Sequence, residues 1–226
     1  MDVNSINSSV SSLNTSSSLG LERAASANKT GKISEEGSNL YISEYNKKRD
    51  ELSLNVQSLN DGIAISKIAQ NSIEKQQNYL SNIQTKLENI DSYENKNDIK
   101  QSLNEDLRNF NQTAYETKFK QESILANNYY DDKNTIDIST DKANFSVEKP
   151  NTPTYANDIF ELANSSDLND PQAVKELMNK VQTSSNQLQN TYEKFTEFGN
   201  KLEYSAREPI KEQVNLYNEN KTNLDK

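Results

Sequence analysis

The sequence predicts a mainly α protein, an elongated antiparallel helical bundle or coiled-coil rod that carries a small β-hairpin. Three observations lead there. The run from Leu52 to Ile90 places apolar residues at Leu52, Val56, Leu59 and Ile63, then at Leu80, Ile83, Leu87 and Ile90. That alternating three- and four-residue spacing makes a seam facing another helix. A second series, Val174, Leu177, Val181, Leu188, Tyr192, Phe195, Leu202 and Ala206, supplies a helix to face it. Composition supplies the third observation. Only 32% of residues are hydrophobic and none is Trp, and mean hydropathy is -0.98, so a thin core shared between long helices fits better than a thick globular one. Sustained periodicity from residue 40 onward argues against wholesale disorder.

The elements follow in order. Residues 1–38 are rich in Ser and Asn without a sustained period, and read as a mobile tail with at most a short helix over Leu19–Ala27. Ser38 or Asn39 is placed to cap a helix running from about Leu40 to Asp91. Its apolar pattern thickens at Ile63, Ala64, Ile65, Ile68 and Ala69, as though gripped on more than one side. From Leu52 to Ile90 alone it would span about 58 Å at about 1.5 Å per residue. The polar cluster Ser92–Asn97 ends it. A returning helix then aligns Ile99, Leu103, Leu107, Phe110 and Ala114, ending near Thr117.

Between 124 and 153 the period changes. Tyr129, Tyr130, Ile136, Ile138, Phe145 and Val147 alternate with polar residues, which predicts a hairpin of short strands closed by Pro150 and Pro153. A short helix is expected over Tyr155–Ala163, and Asp170-Pro171 opens the last long helix. Pro209 should kink or stop it, because Pro removes a backbone donor and collides with the preceding turn. Ile210, Val214 and Tyr217 would continue the apolar face beyond. Residues 39–226 thus form one helical region with its hairpin at about 124–153.

Several function classes are disfavoured. A net charge of -9 and a pI near 4.8 oppose nucleic-acid binding, which needs a basic face. The chain has no Cys and no His and only 5 Gly. It therefore lacks thiolate chemistry, the commonest general base and a Gly-rich phosphate loop. An enzyme, a cofactor and a metal are not expected. The Asp131, Asp132, Asp137 and Asp141 cluster lacks the turn Gly and terminal bidentate Glu of a calcium loop and reads as a solvated hairpin tip. Tyr192, Tyr204 and Tyr217 read as half-buried packing groups. The first thirty residues hold no apolar signal core and no stretch is long enough to span a membrane. The expectation is a cytosolic protein, or one exported without a cleaved signal.

Four segments carry a family resemblance. Gly37–Glu44 is similar to the entry into the first long helix of bacterial flagellin, and Asn60-Asp61-Gly62-Ile63 resembles that family's N-D-G-I-S motif, followed at similar spacing by Leu80. Thr117-Lys118-Phe119-Lys120-Gln121-Glu122-Ser123-Ile124-Leu125 resembles T-x-F-N-G-x-x-L-L, and Phe198-Gly199-Asn200-Lys201-Leu202-Glu203 resembles L-G-A-x-x-N-R-L-E. The likeness covers residues 37–205 and implies the inner rod domain of flagellin, with the helix at 171–208 antiparallel to that at 40–91 and Leu80, Ile83 and Leu87 buried near Val181, Leu188 or Phe195. There are departures. Lys120 and Gln121 replace the Asn-Gly turn pair, so a differently shaped turn is expected. Ile6–Thr15 echoes the flagellin start, but the heptads that follow and the apolar C-terminal helix of the filament-core coiled coil are missing, so ordinary polymerisation is not expected. Ser81, Asn82, Ile83, Gln84 and Thr85 stand where many flagellins present arginines to the innate immune flagellin receptor. Amides cannot supply bidentate guanidinium contacts, so a poor agonist is expected.

The resemblance implies a non-enzymatic protein exported by the flagellar type III apparatus through an uncleaved N-terminal signal. Its expected partners are the export apparatus, and the flagellin filament or a host surface protein. It would act as a secreted or flagellum-associated structural and host-interaction factor. The alternative is a cytosolic coiled-coil chaperone or regulator that binds flagellar proteins.

Overall fold

The computed structural model describes residues 35–127 and 133–224. The chain is mainly helical with a small antiparallel hairpin. Helix α1 spans Glu35–Glu88 and a single 3-10 turn follows at Ile90–Ser92. Helix α2 spans Lys96–Glu116, and a minimal hairpin pairs β1 (Lys118–Phe119) with β2 (Glu122–Ser123). Strands β3 (Thr135–Ser139) and β4 (Asn144–Glu148) form a second two-stranded sheet. Helix α3 spans Pro153–Ser165 and α4 spans Pro171–Leu224. The described chain resolves into two compact units whose boundaries fall inside α1, the β3–β4 hairpin and α4.

The first unit holds α1 up to Ile63, the hairpin tip Ile138–Phe145 and α4 from Asn200. Its core comprises Leu52, Val56, Leu59, Ile63, Ile138, Leu202 and Ala206, all buried. The helices run antiparallel, since Tyr45 is hydrogen-bonded to Asn220 near one end and Gly62 lies against Leu202 near the other. Two expectations about this unit need correction. Helix α1 begins at Glu35, so Ser38 and Asn39 lie inside it and not at its N-terminal boundary. The lone Gly37 before them costs only about 1 kcal/mol in a helix. Helix α4 runs through Pro209 to Leu224 instead of stopping. The penalty of about 3 kcal/mol for an interior Pro is borne because Ala206 and Gln213 on either side are buried. Beyond Pro209 the buried positions are Gln213 and Asn220, whereas Val214 is 40% exposed and Ile210 and Tyr217 only half-buried. The buried stripe there is polar.

The second unit holds Ala64–Asp137 and Ser146–Gly199. Here too α1 and α4 are antiparallel: Gln70 Nε2 donates to Thr196 Oγ1 at 2.8 Å and Gln77 Nε2 to Gln189 Oε1 at 3.1 Å. Leu80, Ile83 and Leu87 of α1 and Val181, Leu188 and Phe195 of α4 are all buried, as their spacing predicts. Ile99, Leu103, Leu107, Phe110 and Ala114 bury one face of α2. Ala156, Ile159 and Ala163 bury one face of α3. Asp170 caps α4, its carboxylate accepting from the Gln172 N–H at 3.0 Å, with Pro171 in the first turn where its missing donor is harmless.

The short strands behave as alternation predicts, with Ile138 and Val147 inward and their neighbours exposed. Tyr129, Tyr130, Asp131 and Asp132 lie outside the described residues, as do residues 1–34 with the helix expected over Leu19–Ala27.

Candidate functional site

The residues singled out by their motifs fall in both units, at two close helix contacts and at the turn out of α2. In the first unit, a Cβ built on Gly62 would lie 2.6 Å from Leu202 Cδ1 and 2.7 Å from Ile138 Cγ1. Only glycine lets the hairpin tip and α4 approach α1 this closely. Ile63 beside it is fully buried, while Asn60 and Asp61 are half-buried and Asn60 Oδ1 is enclosed without a hydrogen-bond partner. Leu202 is buried, Glu203 half-buried and Asn200 exposed.

The hairpin tip is held by a contact absent from the motif reading. Asn55, 8% exposed, donates from Nδ2 to the Asp141 carboxylate and accepts the Asp141 N–H at 3.1 Å. Lys142 Nζ pairs with Glu212 at 2.7 Å, and that hydrogen bond holds the ammonium above the usual lysine range. Asn55, Asp141 and Lys142 line a groove of about 520 Å³ with Leu59, Phe145, Tyr204 and Pro209. Tyr204 is 73% exposed and lies with Arg207 5.7 Å over its ring, so it is not the half-buried packing group expected from its place near the seam. Tyr192 and Tyr217 are half-buried as expected.

In the second unit, Thr117 ends α2 by donating its hydroxyl to Thr113 O at 2.6 Å, and its own carbonyl accepts the Ile124 N–H at 3.0 Å. The chain turns between those two bonds. Lys120 (φ 48) and Gln121 (φ 70) are both left-handed, the type I′ pattern that Asn-Gly normally supplies. Here two ordinary side chains adopt the positive φ. Phe119 is half-buried with Lys120 Nζ 5.2 Å above its ring. Leu125 is fully buried. It is anchored by Thr152, whose N–H (2.9 Å) and hydroxyl (3.1 Å) both donate to Leu125 O. Gln76, also fully buried, donates to that hydroxyl at 2.9 Å and to Phe110 O at 3.2 Å. Gly199 closes the unit, its α-carbon facing Ser66 so closely that a Cβ would lie 2.5 Å from Oγ.

The Ser81–Thr85 surface is polar as read. Ser81, Asn82 and Thr85 are exposed and Ile83 faces inward. Thr85 and Gln84 spend their donors locally, on Ser81 O (2.9 Å) and Glu88 Oε1 (2.9 Å). The acidic residues of the hairpin divide among separate tasks. Asp137 accepts from Ser146 Oγ at 2.7 Å and Thr135 Oγ1 at 3.1 Å, while Asp141 belongs to the Asn55 clasp. Among the described residues no group of three His, Cys, Asp or Glu side chains could hold a metal ion. Nor is any described helix long and apolar enough to cross a membrane.

Asn55, Gln76 and Thr152 escaped sequence reasoning. Their only trace is a polar residue interrupting or adjoining an apolar series, as in Leu52-Ser53-Leu54-Asn55-Val56. Compared with known proteins, the chain matches no protein family and no curated protein.

Proposed function

We propose that the chain is a flagellin-like, non-enzymatic protein exported by the flagellar type III apparatus, acting outside the cell as a secreted or filament-associated structural and host-interaction factor. The observation that carries this reading is the placement of the resembling motifs. Gly62 lies where the hairpin tip meets α1, Thr117–Leu125 forms the turn out of α2, and Gly199 lies where α4 packs closest on Ser66. Motif residues at close helix contacts and at the turn out of α2 are what a shared architecture would require. The core is divided among helices, and the sequence has neither Cys nor His. Such a chain works through its surfaces.

Location tests the reading. Immunodetection in culture supernatant, sheared filaments and cytosol, with and without a functional export gate, should find the protein outside the cell only when the gate works. Deleting residues 1–34, which leaves α1 intact from Glu35, should abolish export while circular dichroism of the purified protein stays helical. Retention in the cytosol of gate-competent cells, bound to flagellar proteins, would favour the chaperone reading instead. The polar Ser81–Thr85 surface should make the purified protein a poor agonist of the flagellin receptor. Potent activation of reporter cells would refute that part.

A further inference from the structure

The two short helices of the second unit carry a side-chain arrangement that core packing does not require. Across α2 and α3, Asn104 and Asn164 exchange amide hydrogen bonds at 3.1 and 3.2 Å. One heptad along each helix, Asn111 Nδ2 donates to Asn157 Oδ1 at 3.0 Å. The two amide rungs are therefore about 10 Å apart at about 1.5 Å per residue. Between them lies Phe160, a large apolar ring left 46% exposed on a solvent-facing surface. Arg108 and Glu105, both exposed, complete an open groove of about 640 Å³.

From this geometry we infer a binding groove for a neutral glycan of about disaccharide length. An exposed aromatic face offers a platform for the C–H face of a pyranose ring. Asn164 Nδ2 is committed to Asn104 and to Phe160 O (2.8 Å), and Asn111 Oδ1 is enclosed. The planar amides of Asn104 and Asn157, however, keep an N–H and a carbonyl lone pair side by side, matched to the neighbouring hydroxyls of a sugar, which donate and accept in the same way. Two rungs about 10 Å apart bracket a length of two linked rings with the aromatic platform midway. Charge agrees: Glu105 and Arg108 oppose one another in sign, so nothing in the groove selects an anion or a cation, although the chain as a whole is at -9. An apolar partner helix is the poorer match, because its insertion would bury the spare amide groups of Asn104 and Asn157 against a surface unable to replace their hydrogen bonds with water. The inference rests on this groove alone and holds whether or not the protein is exported.

The test is nitrogen-detected NMR titration of the intact protein with lactose, maltose, cellobiose and chitobiose up to about 50 mM, the weak end of the affinity scale. At least one sugar should shift the side-chain amide signals of Asn104, Asn111, Asn157 and Asn164 in a saturable way. Phe160→Ala should weaken that binding at least about tenfold, whereas Phe160→Tyr, which keeps the platform, should retain it. An unchanged circular dichroism melt for both variants separates lost binding from lost folding. Should no sugar in the panel shift those amides, or should the shifts follow protein concentration instead of sugar, the inference is overturned. Equal binding by Phe160→Ala would overturn it as well.

Discussion

Replacing Gly199 with Ala sets two known effects against each other and lets the structure decide the sign. An Ala in place of Gly inside a helix is worth about 1 kcal/mol in its favour. Against that, the added Cβ would lie 2.5 Å from Ser66 Oγ and 3.1 Å from Ser66 Cβ. The hydroxyl would have to leave its 2.6 Å bond to Phe195 O. Ser66 is only 1% exposed, so a displaced hydroxyl finds no water, and an unsatisfied buried donor costs about 1–3 kcal/mol. Gly199→Ala should therefore destabilise the native protein by about 1 kcal/mol once both terms and the residual crowding are combined. In a Ser66→Ala background the oxygen is gone and only the 3.1 Å carbon contact remains. There the same substitution should be neutral or stabilise by up to about 1 kcal/mol. The cycle predicts a coupling of about 1–2 kcal/mol, read from urea midpoints of four proteins with equal m values. Additivity within about 0.3 kcal/mol would refute the packing argument for Gly199.

Three other outcomes follow from equally local geometry. Leu87→Asp, at a site 1% exposed, should cost about 4 kcal/mol by burying an unpaired charge, and an unchanged melting temperature would show that α1 does not bury this face. Lys120→Asn combined with Gln121→Gly should stabilise by about 1 kcal/mol or more, since these residues accept positive φ far more readily, and a lower urea midpoint would contradict the turn geometry. Glu148 is held below the ordinary glutamate range by the Lys194 ammonium, 2.6 Å from its carboxylate. A lowered folded pKa adds stability above the unfolded value and loses it as pH falls through the folded one. Lys194→Met should accordingly return Glu148 to the normal range in an NMR titration. Wild type and variant should converge in stability in acid, and a Glu148 titration unmoved by the substitution would remove the ion pair from the account.

The long seams were legible because burial in a helix pair recurs on one face. Leu52, Val56, Leu59 and Ile63, then Leu80, Ile83 and Leu87, announce that face by spacing alone, and each is buried. The strands were legible for the same reason at period two. Failures cluster where local propensity competes with tertiary support. Pro209 should kink or stop α4 on propensity, and packing at Ala206 and Gln213 carries the helix past it without a stop. Lys120 and Gln121 stand in place of an Asn-Gly pair, yet the pairing of Lys118 with Ser123 and Phe119 with Glu122 leaves room only for a two-residue turn at positive φ. Val214 looked like a seam residue, yet the buried places near it go to Gln213 and Asn220. Hydrophobicity cannot identify buried amides, because their partners come from distant parts of the chain.

By itself the sequence determined the mainly helical class with its hairpin, the faces that α1, α2 and α4 bury, and the turn after Thr117. All of these follow from periodicity and backbone freedom, which are local. Tertiary structure alone decided how far α4 runs, how the Lys120-Gln121 turn is formed, and which amides meet. Asn55 with Asp141, Gln76 with Thr152 and the Asn rungs of α2 and α3 are pairings between segments remote in sequence. The physical reason is that a hydrogen bond needs two groups placed within a fraction of an ångström and well aligned. No single segment carries that information; it exists only once the helices have packed.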